Sequence, residues 1–363
     1  MTLSDIAAIR LKHQQITGEQ VSSPEAVLSH LGAAQAQDYR MVKWAIGLRI
    51  PGSTLQSIEQ AIAEGRIIRS HLLRPTWHFV SADDYRWILK LTAPRIEVAM
   101  RHRHKHLGLT PKRIAKSHRV MEDVLSNDEC LLRKELVARL EDAGFENKDN
   151  LASHLLLRAE IDGIICSGPT KDKYHTYTLM DKQVPDTPTP DKDEMLERLA
   201  RRYFNSHGPA TLNDFKWWSG LTKTSARKAI QMIEHDFESI EIDSETFWFP
   251  GTLSDFSAPV KAFLLPAFDE YLVSYKSRYR IIPDDIHRKK AISNNGIFRP
   301  VILVNGKIKG LWKWILGDET IHIQARYFNQ PNTDEKALVE GAAQSLADFM
   351  EKELNISHDP EPG

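Results

Sequence analysis

Apolar and polar positions along the chain fall into three similar phrases, each reading as two or more short helices, a turn and a pair of strands. In the first, Ile6, Ile9 and His13 mark one stripe of a helix over 5–16, with Ser4 placed to cap it. Ser23-Pro24-Glu25 opens a second helix to about residue 31, with proline at the first helical position. Asp38 caps a third over 39–48, and Pro51-Gly52-Ser53 leads into a fourth over 55–64 that Gly65 stops. RIIRSHLL and TWHFV then carry the β-branched and aromatic content of a hairpin. The second phrase has helices over 110–125, 133–144 and 149–161, followed by two strands in IICSGPTKDKYHTYTLM around a Gly-Pro turn. The third has helices over 191–206, 211–220 and 222–235, closed by the strand pair SIEID and TFWFP.

Three helices and a hairpin are the grammar of a winged helix, whose last helix or wing meets a nucleic-acid groove. The expected fold is therefore α+β: tandem winged-helix (helix-turn-helix) modules over 1–100, 101–183 and 191–250. KQVPDTPTPDKDE, at 182–194, reads as a linker. After Pro250 the pattern becomes strand-rich, with an Asn-Gly turn at 305–306, a closing helix over 334–354 and a disordered acidic tail. This gives a C-terminal β-rich subdomain over 251–363.

Charge sharpens the picture. The whole chain carries 48 basic and 49 acidic side chains, yet residues 1–120 hold 18 against 9. The excess is densest over 66–119, where thirteen basic residues and six histidines face three carboxylates. Such a stripe suits a polyanion, because each neutralised phosphate releases counterions. A solvated basic face paired with the acidic C-terminal part is the other reading of the same numbers. Cys130 and Cys166 stand alone, which supports neither a disulfide framework nor a zinc site and fits a reducing compartment. No run approaches the roughly 20 apolar residues of a membrane helix, and the N-terminus lacks the apolar core of a secretion signal. A cytoplasmic monomer, at the nucleoid when bound to DNA, is expected.

P-loop, HExxH, GxSxG and zinc-deaminase patterns are absent from the sequence. RHRHKH at 101–106 places His102 and His106 on one helix face, but the interleaved Arg101, Arg103 and Lys105 favour phosphate over metal. GAAQAQDYR at 32–40 is sharper. Gln35 and Gln37 are two apart, which puts them on one side of an extended segment. Small alanines around them would let a nucleic-acid backbone approach, although both amides could equally satisfy loop backbone groups.

GAAQAQ (32–37), RSHLLRPTWHFV (69–80), DGIICSGPTKDKYHTYTL (162–179), RRYFNSHGPATLNDFKWWSGL (201–221), LLPAFDEYLVSYKSR (264–278) and GIFRPVILVNGKIKG (296–310) carry a resemblance spanning nearly the whole chain. The chain resembles the winged-helix DNA glycosylases of the AlkZ and YcaQ type. The resemblance implies a Gln–hydrophobic–Gln catalytic motif at Gln35, Ala36 and Gln37, a positively charged cleft, and an inserted hairpin for which 170–175 and 278–299 are candidates. It implies hydrolysis of the N-glycosidic bond of cationic N7- or N3-alkylated purines in double-stranded DNA, with interstrand crosslinks as further substrates and no cofactor or metal. An amide cannot act as a base near neutral pH, but a cationic purine is already a good leaving group, so orienting water and steadying the sugar cation suffices.

By strand alternation Arg74, Thr76 and His78 share one face, to contact DNA or to brace the Gln loop. Arg69, Arg101, Arg103, Lys171, Lys173 and His175 are further DNA contacts on the charge argument. Asp269 is an auxiliary candidate that orients water or holds Arg278, with an N-cap or ion pair as its plainer role. Trp217 and Trp218 read as core of the third module. A non-catalytic winged-helix regulator is the competing functional class.

Overall fold

The computed structural model describes residues 3–171, 174–251, 260–279, 281–282 and 284–360. Elements run in chain order as α1 (Leu3–His13), α2 (Pro24–Leu31), β1 (Ala34–Gln35), α3 (Met41–Gly47), α4 (Leu55–Ala63), β2 (Ile67–Leu72), β3 (Thr76–Ser81) and α5 (Ala82–His106). Next come α6 (Pro111–Asn127), β4 (Leu131–Leu132), α7 (Arg133–Asp142), α8 (Leu151–Ile161), β5 (Ile165–Lys171), β6 (Tyr174–Leu179) and α9 (Met180–Gln183). The third group is α10 (Lys192–His207), α11 (Leu212–Ser219), α12 (Lys223–Ile233), β7 (Glu238–Ile242) and β8 (Glu245–Phe249). The last is β9 (Ala262–Leu265), α13 (Glu270–Val273), α14 (Asp285–Ala291), β10 (Val301–Val304), β11 (Lys307–Leu316), β12 (Thr320–Tyr327), α15 (Thr333–Phe349) and β13 (Glu353–Pro360).

The chain is α+β, with small sheets among many helices. Local chemistry sets the element ends where it was expected to. Ser23 caps α2 by accepting from Ala26 N–H, and Asp38 Oδ1 accepts from the N–H of Arg40 and Met41 at the start of α3. Asn305 and Gly306, both at positive φ, turn β10 into β11.

Three features depart from expectation. The boundary placed at 100/101 falls inside α5, which runs through Pro94 and ends in Arg103, His104, Lys105 and His106, cations that suit a helix C-terminus. The closing helix stops at Phe349 rather than 354, because Glu351 turns to φ 54°. Residues 353–360, expected as the end of the closing helix and the start of a disordered tail, instead pair in parallel with β12 at the edge of the five-stranded sheet β13-β12-β11-β10-β9.

Packing divides the molecule differently from the module count. Residues of the second group form their own core around Leu125, Leu136, Leu140, Leu155 and Tyr177. The first group does not: Leu28, Leu31, Trp44 and Ile62 pack with Leu264, Ile323, Leu346 and Phe349 from the C-terminal sheet and α15. A further core joins Leu72, Tyr85 and Trp87 to Tyr203, Phe215, Trp218 and Tyr271. The N-terminal helices, the third group and the C-terminal part thus converge on β1, β2 and β3.

Candidate active site

The Gln motif lies where these parts meet. Gly32, at φ 83°, ends α2, and a Cβ there would come within 3.1 Å of the Trp218 ring. The chain then crosses directly into β1, which pairs antiparallel with β3 and sets Gln35 opposite His78. Gln35 is buried at 6% exposure, while Gln37, just past the end of β1, is exposed. The motif thus has one amide on the floor and one at the rim.

Gln35 is held from two sides. Its N–H donates to Glu270 Oε1 at 2.6 Å, and its side-chain oxygen accepts from Arg74 Nη2 at 2.8 Å. Since a guanidinium can only donate, this contact identifies the amide oxygen and leaves the NH2 group, unpartnered among the described residues, for another molecule. Leu73, at φ 60°, makes the tight turn that presents Arg74. Phe268, at φ 59°, does the same before Asp269 and Glu270. Left-handed backbone at two bulky residues is strained, and here it flanks the groups that hold Gln35.

Glu270 is fully enclosed. Its Oε2 accepts from Trp218 Nε1 at 3.1 Å and from the Ser274 hydroxyl, and lies 3.6 Å from His207 Nε2. Burial pushes its carboxyl up, but His207, Ser274 and the Gln35 N–H outweigh that and hold it down to about 2. Burial and the neighbouring Arg74 push His78 down to about 3, so its ring is neutral at physiological pH. Burial likewise lowers His207 against the pull of Glu270. The floor therefore contains one carboxylate, one guanidinium and two histidines that resist protonation.

Of Arg74, Thr76 and His78, Arg74 braces the Gln loop directly, while Thr76 Oγ1 and His78 Nε2 are buried without a partner among the described residues. Arg69 is no exposed DNA contact: it is buried, donates to Ala36 O at 2.9 Å, and sits 4.4 Å over the Trp77 ring. Its side chain clamps the backbone between the two glutamines. Asp269 does not hold Arg278. It makes a two-point pair with buried Arg49 at 2.9 and 3.1 Å and caps α13 through Tyr271 N–H.

His175 is partly buried against Tyr39 and Tyr177, and burial with Arg69 nearby lowers it to about 4. Tyr39 also meets the Thr170 hydroxyl at 3.2 Å, so the β5–β6 hairpin stands beside the Gln loop. The other hairpin candidate, 278–299, holds helix α14 and a single bridge between Ile292 and Phe298. Lys171 is exposed, 3.9 Å from Glu135, and Lys173 lies outside the described residues. Arg103 donates to Asp149 O at 2.6 Å, leaving Arg101 the exposed cation of that pair.

The 66–119 stripe is accordingly broken up. Arg66 and Arg86 are paired with carboxylates, and Arg113 and Lys116 cap backbone carbonyls. Among the described residues, no three His, Cys, Asp or Glu side chains gather to hold a metal ion, and no helix is long and apolar enough to cross a membrane.

Neither Glu270 as the holder of Gln35 nor His207 beside it is signalled by local sequence pattern, and Trp217 was expected only as core. Trp218 is core, but Trp217 is only partly buried, and Arg74, Lys276 and Arg278 lie over its ring. Gly220 lets these parts meet: at φ 69°, any Cβ would fall 2.2 Å from Leu73 O.

The profile of the family described as DNA glycosylase AlkZ-like matches residues 28–349. The chain belongs to the AlkZ-like DNA glycosylase family. Members are hydrolases of N-glycosyl bonds, which sets aside the non-catalytic regulator. An interstrand DNA cross-link repair glycosylase of Streptomyces sahachiroi is 24% identical over 322 residues, covering 85% of this chain and 86% of that protein. The solved structure of the Streptomyces sahachiroi DNA glycosylase AlkZ superposes with a TM-score of 0.79 at 19% identity, over 98% of this chain and 100% of that one, so the AlkZ-like fold is shared throughout.

Glu270→Gln tests the floor of the AlkZ-like site. The replacement keeps the size but sets an amide donor against Gln35 N–H or against Trp218 and Ser274. Base release is expected to fall at least about tenfold while duplex affinity stays within about twofold. Single-turnover kinetics beside fluorescence anisotropy would check this, and an unchanged rate would remove Glu270 from the account.

Proposed function

We propose that this glycosylase hydrolyses the N-glycosidic bond of cationic N7- or N3-alkylated purines, with Gln35 and Gln37 as the catalytic amides, and that interstrand crosslinks joined through such purines are among its substrates. The observation that carries the reading is the protonation state of the floor. His78 is held to about 3 and Glu270 to about 2, and burial lowers His207, so neither these histidines nor the carboxylate is poised as an acid toward a departing base. A neutral purine would need that proton; an alkylated one already bears its positive charge.

As the bond from the sugar C1′ to the purine breaks, its electron pair neutralises the cationic base and leaves an oxocarbenium-like sugar. Gln35 and Gln37 orient a water for attack at C1′, and the water's proton passes to solvent. The Glu270 carboxylate beneath Gln35 offsets the Arg74 charge and places negative potential behind the amide. Recognition of charge rather than base shape leaves bulky adducts and crosslinked purines within reach. Arg101, Lys171 and the hairpin beside Tyr39 serve as outer DNA contacts in this reading.

The purified chain should release free base and leave abasic sites in a duplex carrying a single N7-methylguanine, and should leave the undamaged duplex intact. Chromatography of the released base, with alkaline cleavage of the strand, reads both. Binding without release would reject the proposal.

A further inference from the structure

Arg74, bonded to Gln35, and Arg278, which lies near the same Trp217 ring, lack the anion that their surroundings call for. Arg74 directs Nη2 to Gln35 Oε1, while its Nε is buried with no acceptor among the described residues. Arg278 gives Nη1 to Lys276 O at 3.0 Å, while its Nε and Nη2 are likewise buried and unpartnered among the described residues. The guanidinium carbons lie 5.6 and 4.7 Å from the centre of the Trp217 ring, and Phe298 closes the other side of Arg278 at 5.1 Å.

No carboxylate pairs with either guanidinium among the described residues. Glu270 is the nearest acid to Arg74 in charge, but its oxygens are taken by Gln35 N–H, Trp218 and Ser274. Burial, together with the charge of Arg74, pushes Arg278 down to about 10. Unpartnered N–H groups on neighbouring cations are costly unless a ligand supplies acceptors. A tetrahedral oxyanion has enough oxygens to take all three, and a guanidinium fork suits it better than an ammonium would.

We propose that Arg74 and Arg278 form a seat for one backbone phosphate of the damaged strand, next to the scissile nucleotide. The inference rests on the glycosylase reading above and adds how the strand is registered. Arg74 grips the phosphate and the Gln35 oxygen together, so docking the backbone sets the amide relative to the sugar. Position along the strand is fixed by the phosphate rather than by a pocket shaped to the base.

The test combines Arg278→Met with a scan of duplexes in which each phosphate flanking a single N7-methylguanine is replaced in turn by an uncharged methylphosphonate. For the unaltered protein, one position should slow base release about tenfold to a hundredfold. Arg278→Met should show a loss of similar size on the all-phosphate duplex and no further loss at that position alone. Its binding should also depend less on salt, with the slope reduced by about one. Arg278→Lys, which keeps the charge without the fork, should fall between the two, with melting curves confirming that both variants fold.

Losses that add independently at every position would overturn the seat, as would base release by Arg278→Met equal to that of the parent. Inhibition by inorganic phosphate that requires Arg278, with no sensitive position in the scan, would also overturn it by showing a site for a free anion. If the unaltered protein releases no base from the all-phosphate duplex, the glycosylase reading fails separately. The same scan read by anisotropy then decides the seat.

Discussion

Replacing Gln35 and Gln37 together by alanine is expected to lower base release from an N7-methylguanine duplex by roughly a hundredfold to a thousandfold, the cost of removing preorganised polar groups from a transition state. Duplex affinity should hardly change. Gln35 is buried and Gln37 carries no structural hydrogen bond among the described residues, so neither is placed to grip the backbone. The single variants should differ in character. Gln37→Ala removes an exposed amide and should leave thermal stability untouched. Gln35→Ala also deprives Arg74 of its acceptor, so some loss of stability should accompany the loss of rate. Single-turnover rates, anisotropy and melting curves on all three variants separate these effects, and excision by the double variant at the parental rate would reject both residues.

Arg49→Ala is expected to be the most damaging single change away from the glutamines. Every N–H of this guanidinium is engaged: Nε with Gln14 O, Nη1 with Ala45 O and Asp269 Oδ2, and Nη2 with Gln14 Oε1 and Asp269 Oδ1. Both charges are almost fully enclosed, at 1% and 0% side-chain exposure. Truncation would leave the Asp269 carboxylate buried and alone, which costs about 3–5 kcal/mol and should lower the melting temperature of a chain of this length by about 4–7 °C. Removing both charges with Arg49→Met and Asp269→Leu should recover part of that loss, whereas equal instability of the pair and the single variant would show that the ion pair is not its source. Base release should fall as well, because Asp269 sets the turn that delivers Glu270 to Gln35.

The parts of this fold that were legible in the sequence are those set by chemistry within a few residues. Ser23-Pro24-Glu25 starts α2 because a hydroxyl, a ring with fixed φ and an acid each suit a helix N-terminus, and Asn305-Gly306 turns β10 into β11 because both residues accept positive φ. α5 stayed hidden beyond its last turn because Pro94 removes one ladder bond while packing through Trp87, Ile88 and Ile96 holds the helix together. β13 was illegible because its polar residues gain their strand from the waiting edge of β12 rather than from their own pattern.

The same division applies to the candidate site. The Gln pair could be placed on a short extended segment, but its supports could not, since they depend on distant chain meeting it. The stripe over 66–119 suggested exposed cations, whereas Arg69 is buried on Ala36 O, because a count of charges does not say which cations face inward to carbonyls. In the pair Asp269 and Glu270, the phase of one short helix decides which carboxylate meets Arg49 and which reaches beneath Gln35, and no local spacing reveals that.

The bond from Gln35 to Glu270 spans 235 positions. A growing chain on the ribosome therefore makes Gln35 and Gln37 early and cannot fix Gln35 until most of translation is complete. Prematurely terminated products that lack residue 270 carry the glutamines without their anchor. Interrupted synthesis of an enzyme that creates abasic sites thus leaves behind fragments with no assembled means of cutting bases from the chromosome.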